Sequence, residues 1–104
     1  MSSLRMVLRP KISKHDRYVL ELRDMIIHKY DSVSVNVKLQ NEKRNLAEID
    51  LIAQKGSKID LYEVKCSPRI VKARKQLKRI KRILNLHSSR AYFYCGSSGS
   101  LVSV

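Results

Sequence analysis

Leu46-Ala-Glu-Ile-Asp-Leu-Ile-Ala-Gln-Lys-Gly-Ser-Lys-Ile-Asp-Leu-Tyr-Glu-Val-Lys-Cys66 is the stretch that decides the fold of this 104-residue chain. Two apolar runs with β-branched residues flank Lys55-Gly56-Ser57-Lys58, the mark of a β-hairpin. With Gly56 and Ser57 at the centre of a type II′ turn, glycine takes the position that requires a positive φ. The register follows from the turn: Lys55 faces Lys58, Leu51 faces Tyr62, Asp50 faces Glu63 and Glu48 faces Lys65.

Residues two apart on a strand share a face, so Glu48, Asp50, Glu63 and Lys65 are expected to form one polar cluster at the open end of the hairpin. Directly opposed side chains have Cβ atoms roughly 4.5–5.5 Å apart, and like charges there weaken the sheet. Stability alone does not select two facing carboxylates. A divalent cation removes the conflict, because hard ions such as Mg²⁺ take carboxylate oxygens and water. Lys65 adds an ammonium beside the same point, which makes the set a metal-dependent phosphoryl-transfer constellation.

Ala47-Glu-Ile-Asp50 followed by Tyr62-Glu-Val-Lys65 resembles the core motif of the PD-(D/E)XK, or restriction-endonuclease-like, nuclease superfamily. Within it the chain is similar to the small archaeal Holliday-junction resolvases. The sequence lacks the proline of the named motif, and Ala47 stands where many relatives carry glycine. The resemblance implies an α-β-β-β-α-β core, a mixed sheet flanked by helices, and a Mg²⁺- or Mn²⁺-dependent endonuclease acting on DNA as a homodimer. It implies Asp50, Glu63 and Lys65 as catalytic residues, and Asp50, Glu63 and the Val64 carbonyl as metal ligands. Relatives often carry a further acidic ligand early in the first helix; Asp16 fits its offset before Val19, and Glu21 is the competitor. A capping or dipole role competes for Asp16. Relatives sometimes place a glutamine past the E-x-K tripeptide, where this chain has Gln76.

Composition sets the outer bounds. The length fits one domain, residues 1–104, with a basic arm over 1–13 and a tail over 96–104. There are 22 Lys and Arg against 9 Asp and Glu, a net charge of +13, which points to a polyanionic partner. No apolar run approaches the ~20 residues that cross a bilayer, so no membrane partner is expected. Two cysteines without C-x-x-C spacing argue against zinc and for a reduced, cytoplasmic setting.

The rest of the chain frames the hairpin. Residues 14–30 have helical periodicity, with Tyr18, Val19, Leu22, Met25, Ile26 and Tyr30 on one face and Ser13 as N-cap. Leu20 and Ile27 lie opposite, as for a dimer interface; His15 and His28 read as surface residues. Residues 32–40 alternate cleanly, with Val33, Val35, Val37 and Leu39 on one face. Residues 41–45 read as a polar loop whose Lys43 and Arg44 are candidates for phosphate contact. A second helix starts at Ser67-Pro68 and carries an apolar stripe of Ile70, Ala73, Leu77, Ile80 and Leu84. Its other faces are densely basic without interspersed acids. Arg69, Lys72, Lys75 and Arg79, with Gln76 beside the stripe, are therefore candidate DNA contacts. Residues 90–95 form a short aromatic strand. The alternatives to a nuclease are a non-catalytic nucleic-acid-binding protein with a nuclease-like fold and a basic ribosomal-type component.

Overall fold

The computed structural model describes residues 12–104, so most of the expected basic arm, with Arg5, Arg9 and Lys11, lies outside the described residues. Helix α1 (Lys14–Ile26) opens at Ser13, whose hydroxyl accepts the Asp16 amide at 3.1 Å. A single 3-10 turn, Ile27–Lys29, follows. Strands β1 (Ser32–Asn41), β2 (Arg44–Lys55) and β3 (Lys58–Lys65) come next, then helix α2 (Ile70–Leu84), β4 (Arg90–Cys95) and β5 (Ser100–Ser103). The strands form one mixed sheet in the order β1-β2-β3-β4-β5, with only β3 and β4 parallel. Parallel neighbours need a crossover, and α2 supplies it. The chain is thus α/β, with α1 on one face of the sheet and α2 on the other.

The hairpin register agrees with the reading from sequence, pairing Lys55 with Lys58 and Leu51 with Tyr62. Gly56 has φ +58° and Ser57 is not among the residues of positive φ, as a type II′ turn requires. Two boundaries differ. The expected polar loop at 41–45 is a tight turn at Glu42 and Lys43, and β1 and β2 run almost through it. Helix α2 begins at Ile70 rather than Ser67, with Pro68 and Arg69 before it. The tail over 96–104 contains β5, paired to β4.

The largest departure from the sequence pattern is in β1. Val33 and Val35 pack with α1, against Val19, Leu22 and Ile26, whereas Val37 and Leu39 pack with α2, against Leu77 and Ile80. The four do not share a face. Asn36 lies between the pairs with φ +52°, a left-handed residue that resets the strand's alternation. β2 changes face at the facing position: Leu51 and Ala53 join the α1 core, Ile49 and Ala47 the α2 core. Ile49, Asp50 and Leu51 are consequently buried in succession, which a regular half-exposed strand does not allow.

Helix α2 covers its face of the sheet with Ala73, Leu77 and Ile80, all nearly inaccessible. Truncating either of the latter two to alanine costs on the order of 2–5 kcal/mol. Its last turn ends on Asn85 in the left-handed conformation. In α1, Met25 was expected in the core but is 45% exposed, because the buried stripe is Val19, Leu22 and Ile26. At the end of β4, Gly96 packs so closely on Tyr18 that a Cβ would lie 2.1 Å from the ring.

Asn36 is testable as the face switch. Asn36→Val places a β-branched residue at positive φ and is expected to lower stability by about 1–2 kcal/mol in urea unfolding, whereas Asn36→Gly is expected to be neutral within about 0.5 kcal/mol.

Candidate active site

The site lies where β2 and β3 part. Their ladder ends at Leu51 and Tyr62; beyond it β2 pairs only with β1, and β3 continues to Lys65 paired only with β4. Asp50 fills the gap. Its Oδ2 accepts the Val64 amide at 2.8 Å, so a side chain satisfies the donor that the ladder leaves open.

Glu63 is 4% exposed. Lys65 Nζ lies 3.4 Å from its Oε1, while its buried Oε2 receives no donor among the described residues. Burial first, then the charge of Asp50 and a hydrogen bond that protonated Glu63 makes to it, push the Glu63 carboxyl up to about 8; Lys65 opposes them and is outweighed. In a chain of net charge +13, two acids are thus held side by side, and burial penalises the ionisation of Glu63.

His15, read from sequence as a surface residue, is part of this site. Its Nε2 lies 3.0 Å from the Val64 carbonyl and 3.3 Å from Asp50 Oδ2. A carbonyl only accepts, so Nε2 carries the proton and shares it between the two oxygens. The helical phase held the signal: His15, Val19, Leu22 and Ile26 follow one another at intervals of four, three and four, so the imidazole ends the buried stripe.

The other candidates are distributed as follows. Asp16 reaches no closer than His15, with Oδ1 3.7 Å from Nδ1, and its amide is the one capped by Ser13. Glu21 is engaged by the Tyr94 hydroxyl at 2.9 Å, which with burial raises the phenol to about 12. Glu48 is exposed and pairs across β1 with Lys38, so it does not join Lys65 in the expected cluster. Lys43 and Arg44 sit exposed at the tip of the β1–β2 arm. Arg69, Lys72 and Lys75 are exposed along the start of α2. Arg79 donates to the Leu46 carbonyl at 3.1 and 3.2 Å, fastening β2 to α2 while its side chain remains at the surface. Gln76 has a buried Oε1 without a partner, and among the described residues no hydrogen bond joins it to Glu63.

No group of three or more His, Cys, Asp and Glu side chains among the described residues is arranged as a metal cluster. What converges instead is two carboxylates and a backbone carbonyl. That donor set suits Mg²⁺ or Mn²⁺, which are held by one or two carboxylates and keep several waters. The buried Glu63 Oε2, which receives no donor among the described residues, is the observation that supports the fit.

The raised Glu63 carboxyl has a definite sign in pH dependence. Its folded value lies above the usual 4.5, so the stabilisation is present below pH 4.5 and is lost as pH rises toward 8. Urea unfolding of the metal-free protein should therefore show stability falling from pH 5 to pH 8.5, by an amount on the order of a few kcal/mol. Glu63→Gln should flatten that slope, and the two proteins should differ most at the alkaline end.

Compared with known proteins, the chain matches no family model and no curated protein.

Proposed function

We propose that this chain is a Mg²⁺- or Mn²⁺-dependent DNA endonuclease of the PD-(D/E)XK class, with a restriction-endonuclease-like core. The observation that carries the reading is Glu63: buried, adjacent to Asp50, with one oxygen near Lys65 and the other receiving no donor. Asp50, Glu63 and the Val64 carbonyl would hold the ion, which supplies a water of lowered pKa and neutralises charge on the scissile phosphate. Lys65, 83% shielded from solvent, keeps an ammonium at the edge of the acidic pair, where it can orient a water or offset charge on the phosphoryl oxygens. His15 fixes the Val64 carbonyl and Asp50 in place from α1.

The exposed face of α2 supports DNA as the substrate. Lys72, Arg74, Lys75, Lys78 and Arg82 all face solvent, and no acid is interspersed among them. Such a face binds phosphates and reads little sequence. A branched substrate of the four-way-junction kind is part of the proposal, as is a homodimer, for which exposed Met25, Ile27, Leu101 and Val102 offer apolar surface. No helix among the described residues is long and apolar enough to cross a membrane, and the two cysteines are unpaired, which supports a reducing, cytoplasmic setting.

A second reading is favoured by one contact. The His15 proton already bridges Asp50 and the Val64 carbonyl, and such a site could serve a nucleic-acid-binding protein without catalysis.

Incubation with junction, nicked and linear DNA separates the two. Cleavage is expected with Mg²⁺ and none with EDTA, and Asp50→Asn should reduce it by at least about a hundredfold while leaving DNA affinity in EDTA within about twofold. Binding without cleavage of any substrate selects the second reading.

Salt dependence tests the α2 face. Lys72→Gln and Lys75→Gln should each reduce the slope of log affinity against log salt by about one, with similar losses for unrelated sequences. Slopes unchanged from wild type would place the DNA elsewhere.

A further inference from the structure

A large cleft lies away from Glu63. It lies at the opposite end of β3, on the α1 side, with a volume of about 960 Å³. Its base is Asp60, 2% exposed and fully engaged. The Tyr30 hydroxyl donates to Asp60 Oδ2 at 2.6 Å, and Arg90 clasps the carboxylate through Nε and Nη2 at 3.2 and 3.0 Å. This grip fixes the plane of a guanidinium that remains 63% exposed, leaving its other N–H groups free to donate toward solvent.

Around that fork stand Lys29, Lys55 and Lys58. The acids of the cleft are Asp60, already clasped, and Asp31, which accepts the Gly56 amide at 2.8 Å and pins the hairpin turn against α1's end. The cationic side chains therefore have an excess to offer. A smaller cleft shares Ser57, Lys58, Asp60 and Arg90 with the first and adds the hydroxyls of Ser88 and Ser89. Lys58 and Arg90 thus sit where two grooves meet.

The large cleft is also aromatic. Tyr92 stacks on Tyr62 with centroids 4.9 Å apart and planes 20° from parallel, and Tyr30 meets Tyr62 edge-on. Across the β4–β5 ladder Tyr92 faces Ser103, an exposed residue too small to cover the ring. A stacked ring pair beside a fixed guanidinium, with lysines on either hand, is the combination that takes a base on one side and its phosphates on the other.

We propose that this cleft binds an unpaired stretch of a nucleic-acid strand, with a base against Tyr92 and its phosphates at Arg90 and Lys58. The inference rests on the nucleic-acid reading of the chain but not on cleavage. Asp60 and Glu63 are three residues apart on β3 and on opposite faces of the sheet, so the cleft is a separate surface from the Glu63 site.

The test is binding by fluorescence anisotropy in EDTA, comparing a blunt duplex with the same duplex carrying a five-nucleotide tail, the tail made of DNA or of RNA. Wild type is expected to prefer at least one tailed duplex by about tenfold, and the tail that succeeds names the strand. Arg90→Gln should abolish the preference with blunt-duplex affinity unchanged. Because that variant strips a partner from buried Asp60, the pair Lys55→Gln with Lys58→Gln, both exposed, provides a second measurement and should reduce the preference at least threefold. A 4-thiouridine or 4-thiothymidine tail should crosslink at residues 90–92. Equal binding of blunt and tailed duplexes by wild type, or a preference intact in both variants, overturns the proposal. Asp50→Asn should keep the tail preference in EDTA while losing cleavage in Mg²⁺ as predicted above, so failure of the nuclease reading and failure of this one give different results.

Discussion

The hydrogen bond from the Val64 amide to Asp50 is the contact on which the rest depends. It forms at the point where the β2–β3 ladder ends, and it replaces a backbone partner with a carboxylate. Without it a buried N–H would be orphaned, at a cost on the order of 1–3 kcal/mol, and the strands would have no reason to part there rather than elsewhere. The same bond holds the Asp50 carboxylate beside Glu63. The structural role and the proposed chemical one therefore fall on one side chain, which is why an isosteric amide, able to keep an oxygen on the Val64 amide, is the informative replacement and alanine is not.

The parting of the strands has its own cause. A sheet that kept one alternation throughout would bury Val33 to Leu39 on a single face and leave α2 short of apolar surface. The left-handed Asn36 hands the second half of β1 to the other core, and β2 turns with it at Asp50. Backbone strain, a face switch and the carboxylate pair coincide within one rung of the sheet. Strain persists only where the surrounding structure over-determines it, and here two cores on opposite faces do so.

This explains what the sequence discloses and what it withholds. Gly56-Ser57 is a local signal, and a two-residue turn fixes every rung out to Leu51 and Tyr62, so the hairpin and the nearness of Asp50 to Glu63 can be read directly. The failure at Glu48 has the same origin: a register extrapolated past Asp50 assumes strands that stay paired. Val33, Val35, Val37 and Leu39 alternate without flaw, and nothing in that pattern announces that Asn36 reverses it, since asparagine tolerates positive φ but does not demand it. His15 was legible in principle from the helical phase, yet a polar residue at the end of an apolar stripe is usually read as the stripe's boundary. Arg79 shows the reverse limit: a basic helix face looks uniform in sequence, and only the fold shows that this guanidinium is partly taken up by the Leu46 carbonyl.

Two carboxylates on β3 give the sharpest contrast in the molecule. Asp60 and Glu63 are three residues apart, on opposite faces, and both nearly inaccessible. Asp60 receives Tyr30 and both arms of the Arg90 fork, so its buried oxygens are met by donors as part of the frame. Glu63 receives one ammonium at 3.4 Å, faces a second acid, and leaves an oxygen bare. A chain with 22 Lys and Arg has no shortage of donors for a second such clasp. That Glu63 is not given one, on the same strand and at the same depth, means its sparse set of donors is not a limit of the fold.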